Sequence, residues 1–139
     1  CHLVIETNRG HDLGRIIVSG SAAQFTGIPG DIAGHTDERV LRAPAAGTFK
    51  SQRAIGDTVH RNDIVGQVAG HPVTAGLDGM LRGLIRPGTA VTAGLKLGDI
   101  DPRGKREHCS TISDKARAIA GAALEGVMRN CNRPGSMKC

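Results

Sequence analysis

From residue 40 to 101 the chain alternates short apolar runs with turn residues. Leu41 and Ala43 are followed by a Gly47-Thr48-Phe49 step, then Gly56 ahead of Val59, then Val65 and Val68 around Gly66. Short strands separated by turn signals at about eight to twelve residues mark an all-β sandwich or barrel. The same pattern then recurs at an offset of 32 residues: Ala43 matches Ala75, Gly47 matches Gly79, Gly56 matches Gly88, Val59 matches Val91 and Gly66 matches Gly98. Apolar character is kept between these anchors, with Leu41 against Val73, Phe49 against Leu81, Val65 against Leu97 and Val68 against Ile100. An internal repeat organises a fold more firmly than any single element. Two four-strand halves joined by the tight link Ala69-Gly70-His71-Pro72 are expected to form two interleaved sheets.

Outside the repeat the pattern predicts a strand pair at residues 2–7 and 13–18 and a Gly/Ser/Thr-rich loop over 19–39. Downstream, Thr111 or Ser113 caps a helix with Asp114 in its first turn, where the dipole favours an anion. Its apolar stripe is Ala116, Ile119, Ala120, Ala123, Leu124, Val127 and Met128, a face expected to pack closely on the sheet. The domain reading is therefore 1–39 strand pair and loop, 40–104 duplicated β-barrel, 105–130 helical segment and 131–139 flexible tail.

Composition removes several functions. The net charge is +5, but Lys and Arg are scattered, and two Phe with no Tyr or Trp offer no stacking platform, so no nucleic-acid partner is expected. No apolar run approaches the roughly 18 residues that span a membrane, and no signal-like segment opens the chain. Four cysteines without a C-x-x-C spacing point to reduced thiols and a cytoplasmic protein. Neither a phosphate-binding loop nor a nucleophile elbow is present.

The repeated unit, with Ala43-Pro44-Ala45-Ala46-Gly47 and Gly56-Asp57-Thr58-Val59 echoed by Ala75-Gly76-Leu77-Asp78-Gly79 and Gly88-Thr89-Ala90-Val91, resembles the biotinyl/lipoyl-type barrel-sandwich hybrid. That resemblance implies a mainly-β fold, here with an N-terminal strand pair and one C-terminal α-helix. Carrier members of the superfamily bear biotin or lipoate on a lysine at the hairpin between the halves. No lysine lies between Lys50 and Lys96, so neither biotin nor lipoate is expected.

A wider resemblance covers residues 1–125. The runs Glu6-Thr7-Asn8-Arg9-Gly10-His11-Asp12-Leu13-Gly14-Arg15, Thr26-Gly27-Ile28-Pro29-Gly30, Lys96-Leu97-Gly98-Asp99-Ile100-Asp101-Pro102-Arg103 and Ile112-Ser113-Asp114-Lys115-Ala116-Arg117 are similar to the C-terminal half of the YqeB family. That family is the accessory set of the selenium-dependent molybdenum hydroxylase system. The resemblance implies a role in maturing such an enzyme, with the hydroxylase or other maturation factors as partners and the molybdenum cofactor or a selenium species as ligand.

Two polar clusters carry the candidate chemistry. In the loop Glu6, Asn8, Arg9, Gly10, His11, Asp12 and Arg15, the arginines can grip an anion, while His11, Asp12 and Glu6 can hold a proton or a metal. The alternative is a structural hairpin loop. In the second, Asp101 and Arg103 lead to His108 and Cys109 in basic surroundings that favour a thiolate. Cys109 is then a candidate carrier for a selenium or sulfur transferase; otherwise it is a small inert cysteine. Three readings follow: a non-catalytic module binding cofactor, oxyanion or client, a transferase working through Cys109, and a passive interaction module.

Overall fold

The computed structural model describes residues 3–24, 27 and 29–132. His2, Cys1, Cys139 and the tail from residue 133 lie outside the described residues, as do parts of the run at 25–28. Among the described residues no helix is long and apolar enough to cross a membrane. The chain is mainly β and divides into two compact units, one of residues 28–111 and one of residues 1–27 with 112–139.

The larger unit holds eight strands: β3 (Val40–Arg42), β4 (Gly47–Lys50), β5 (Thr58–Val59), β6 (Ile64–Val68), β7 (His71–Thr74), β8 (Gly79–Leu84), β9 (Ala90–Val91) and β10 (Lys96–Asp101). They form two four-stranded sheets, ordered β3-β10-β8-β5 and β7-β6-β4-β9. Each sheet takes two strands from each repeat, and adding 32 to a residue of the first repeat carries one sheet onto the other. The registers obey the same rule. Phe49 pairs with Val68 as Leu81 pairs with Ile100, and Gly47 pairs with Val91 as Gly79 pairs with Val59. Turn hydrogen bonds repeat as well: Gly56 N donates to Leu81 O and Gly88 N to Phe49 O, both at 2.8 Å. The barrel-sandwich hybrid with two interleaved halves is therefore the observed architecture.

Burial explains why the repeat kept its apolar positions. Leu41, Phe49, Val59, Val65 and Val68, with their counterparts Val73, Leu81, Val91, Leu97 and Ile100, all belong to one core cluster. Burying each of the larger ones contributes roughly 1.5–3 kcal/mol. Gly66 and Gly98 recur for steric reasons: a Cβ would come within 2.6 Å of Lys50 O at the first and 2.2 Å of Gly83 O at the second. Between the halves, β6 turns into β7 through Ala69 and Gly70, both with positive φ (50° and 84°), the conformation of a type I′ hairpin turn.

In the smaller unit β1 (Val4–Ile5) pairs antiparallel with β2 (Ile16–Ile17), and α1 spans Asp114–Cys131. Ser113 Oγ accepts from Ala116 N at 3.1 Å, so Ser113 is the cap. The packed face of α1 differs from the expected stripe. Ala122 and Gly126 are buried and Ala118 and Ile119 half-buried, whereas Leu124, Val127 and Met128 are all more than half exposed. Close backbone approach decides this. A Cβ on Gly14 would sit 3.1 Å from Ala118 O, and one on Gly126 would sit 2.6 Å from Leu3 Cδ1. The small residues at 118, 122 and 126 make the contact and leave the bulky apolar ones outside.

Candidate functional site

β10 ends on Asp101, a carboxylate only 1% exposed at the rim of the barrel. Burying an ion costs several kcal/mol unless partners replace its water, and two guanidiniums and an imidazole do so. Arg103 donates from Nε to Oδ1 at 2.8 Å and from Nη2 to Oδ2 at 2.7 Å, and its backbone N–H also reaches Oδ1. His108 Nδ1 lies 3.3 Å from Oδ2. Arg82, on β8, approaches Oδ2 with Nη1 at 3.8 Å and donates from Nε to His108 O at 3.1 Å. The Arg103 guanidinium holds the Asp101 carboxyl well below the usual carboxylate range, against the opposing effect of burial. One buried anion thus orients two guanidiniums and an imidazole. Apart from the donation by Nε, the Arg82 guanidinium makes no hydrogen bond to the described residues.

Asp101, Arg103 and His108, anticipated from sequence, therefore meet in one place. Arg82 was not anticipated; the only available signal was its outward position in the alternation of β8. Cys109 closes the same 3₁₀ turn, Arg106–Cys109, half-buried and free, with Sγ 3.7 Å from Leu81 O. His108 turns its ring to Asp101 rather than to this thiol. Cys131, by contrast, is disulfide-bonded, so the expectation of uniformly reduced thiols does not hold there.

The loop cluster lies in the other compact unit and is closed on itself. Glu6 is buried and accepts the backbone N–H groups of Asn8 and Ala23, both at 2.7 Å, which lower its carboxyl below the ordinary value. Arg9 forks onto Asp114 at 2.5 and 3.0 Å, holding that carboxyl well below its usual range. Arg15 pairs with Asp12 at 3.0 Å, and Gly10 takes a φ of 134° in the turn. His11 is exposed. The arginines expected to grip an anion here each face a carboxylate of the same unit. Among the described residues no three His, Cys, Asp or Glu side chains come together to hold a metal ion.

No family model matches the chain. The uncharacterized protein YqeB of Escherichia coli (strain K12) is 53% identical over 128 residues, which is 92% of this chain and 24% of that protein. The chain belongs to the YqeB family. This YqeB-family chain spans about a quarter of the length of the curated relative it matches. Among solved structures, it is similar to an aspartoacylase family protein from Mesorhizobium loti (19% identity, 45% of this chain and 22% of that one, TM-score 0.39). It is also similar to a succinylglutamate desuccinylase/aspartoacylase from Rhodobacter sphaeroides (21% identity, 46% and 22%, TM-score 0.42).

Proposed function

We propose that this chain is a non-catalytic accessory module in the maturation of a selenium-dependent molybdenum hydroxylase, binding an oxyanionic ligand at the Asp101 cluster. The carrying observation is the Arg82 guanidinium, which is held at Nε by His108 O, has Nη1 3.8 Å from the buried Asp101 carboxylate and makes no other hydrogen bond to the described residues. Planar guanidinium donors fixed in this way match pairs of acceptor oxygens on a phosphate or another tetrahedral oxyanion. A molybdopterin phosphate, molybdate or selenophosphate fits that donor set, which has the make-up of an anion cradle rather than of a metal site. The ligand is cargo, and no arm carries it.

The transferase alternative has less support, because the Cys109 thiol faces a backbone carbonyl and lacks the neighbouring base that would activate it. Calorimetric titration of the full chain with molybdate and with a phosphate monoester tests the anion reading. We expect binding that Arg82→Ala weakens about tenfold or more and that Arg9→Ala leaves unchanged. Absence of heat with both anions, or equal affinity in Arg82→Ala, rejects it. In cells lacking the family member, wild-type chain in its full-length context should restore hydroxylase activity, with Cys109→Ser equally competent. Loss of maturation in Cys109→Ser would favour the transferase instead.

A further inference from the structure

The barrel's internal twofold makes each surface of one half a template for the other, and at one place the two surfaces differ. On the first half an open groove of about 750 Å³ is lined by Lys50, Arg53, Ile64, Gln67, Gly70 and Pro72. Their counterparts 32 positions away are Arg82, Ile85, Lys96, Asp99, Glu38 and Val40. That second surface is covered at Asp99, the counterpart of Gln67. Arg39, the counterpart of His71, is only 5% exposed and reaches within 3.7 Å of Asp99 Oδ2. Its guanidinium is held from the other side by His35 O at 3.2 Å and Gly30 O at 3.1 Å. Residues 30–39, which end in the 3₁₀ turn Asp37–Arg39, are thus tied to the second half by one ion pair. Leu84 and Ile85, on the same half, are half-buried against the core.

The first half has no such cover. β7 follows β6 through a two-residue turn, so no chain is available to lie there, and His71 is exposed. Ile64 is left 63% exposed on the groove. The charge also differs from that of the second face, where Asp99 and Glu38 stand beside Arg82 and Lys96. No carboxylate lines the groove, Gln67 replaces Asp99, and Lys50 makes no ion pair among the described residues. Arg53 reaches Asp63 at 3.6 Å.

We propose that this groove is the docking site for an extended segment of a partner protein. That segment lies on the first half as residues 30–39 lie on the second, with a carboxylate side chain at Lys50 and Gln67 in place of the Arg39–Asp99 pair and an apolar side chain on Ile64 and Pro72. This surface and its occupant are separate from the anion cluster, so either can fail without the other.

The test uses the isotope-labelled full chain and an array of synthetic eight-residue peptides in which one Asp or Glu is flanked by Leu or Val. A second array carries Lys at the acidic position. The expected result is selective binding of the acidic array, with amide shifts confined to Lys50–Arg53 and Ile64–Pro72. Lys50→Glu should weaken it about fivefold and restore binding to the basic array instead. Ile64→Lys, which installs the counterpart residue at an exposed position, should weaken both. Shifts that map elsewhere, indifference to Lys50→Glu, or no binding by any acidic peptide overturn the proposal. Concentration-dependent dimerisation that broadens the same amides would assign the groove to a second copy and overturn it equally.

Discussion

The two repeats of the barrel share a ladder and a core but not a periphery. Inside, the match is close to residue by residue: Phe49 and Leu81, Val68 and Ile100, Gly66 and Gly98 occupy equivalent positions with equivalent pairings. Outside, the second half ends in a buried aspartate held by Arg82, Arg103 and His108 and is tied to residues 30–39 through Arg39, whereas the first ends in a bare two-residue turn beside an open groove. The difference separates two kinds of constraint. Positions that close the core tolerate little change in either copy, because interiors are packed to crystal-like density. Rim positions are bound only to their local neighbours, and there the copies have diverged into distinct chemistry.

The sharpest way to break the comparison is to empty the core on each side. Phe49→Ala and Leu81→Ala, both at 0% exposure, should each cost about 3–5 kcal/mol in urea unfolding, with the costs within about 1 kcal/mol of one another. A variant that costs less than about 1 kcal/mol would show that its half is not held by the shared core.

At the rim, Asp101→Asn should cost about 2 kcal/mol at neutral pH, since it strips charge from a site that orients Arg82, Arg103 and His108. The folded carboxyl titrates below its unfolded value of 3.8, so its stabilisation is present above about pH 4 and fades as the pH falls toward the folded value. Urea midpoints at pH 7 and pH 3 should therefore converge between wild type and Asp101→Asn. A gap that persists undiminished at pH 3 would contradict the ion-pair account. The first half has no counterpart, because Ala69 stands where Asp101 would be.

Smaller still is the effect at the turn. Ala69 holds a φ of 50°, which costs an alanine about 1 kcal/mol relative to glycine, so Ala69→Gly should raise the unfolding free energy read from urea titration by about that amount. In the other unit, Arg9→Ala should cost less than about 1 kcal/mol, and less again in high salt, because Asp114 is largely exposed. Stability unchanged by added salt in wild type and variant alike would argue against the Arg9–Asp114 pair.

Much of this was legible before any coordinates. The offset of 32 between Ala43 and Ala75 already implied the interleaved sheets, because repeated glycines and apolar anchors record steric demands that are local to each strand. Asp101, Arg103 and His108 could be nominated together because they are neighbours along the chain. Arg39 could not, since its burial depends on Asp99, far along the sequence and on a different strand. Arg82 was hidden for the same reason. The packed face of α1 is not legible in the sequence, because a hydrophobic stripe weighs Leu124, Val127 and Met128 above Ala118, Ala122 and Gly126. Backbone proximity at Gly14 rewards the smaller set. The loop arginines looked available for an anion because Arg9's partner, Asp114, lies in a segment the loop pattern did not connect to it.

The strand order β3-β10-β8-β5 sets a schedule for synthesis. β3 leaves the ribosome first of the eight, yet its hydrogen-bonded neighbour is β10, the last. A nascent first repeat must keep Leu41, Phe49 and Val68 unclosed until translation has passed residue 101, and such long-range pairing is intrinsically slow. Truncation anywhere before β10 would therefore leave β3 without its partner and the core open, rather than yield half a domain.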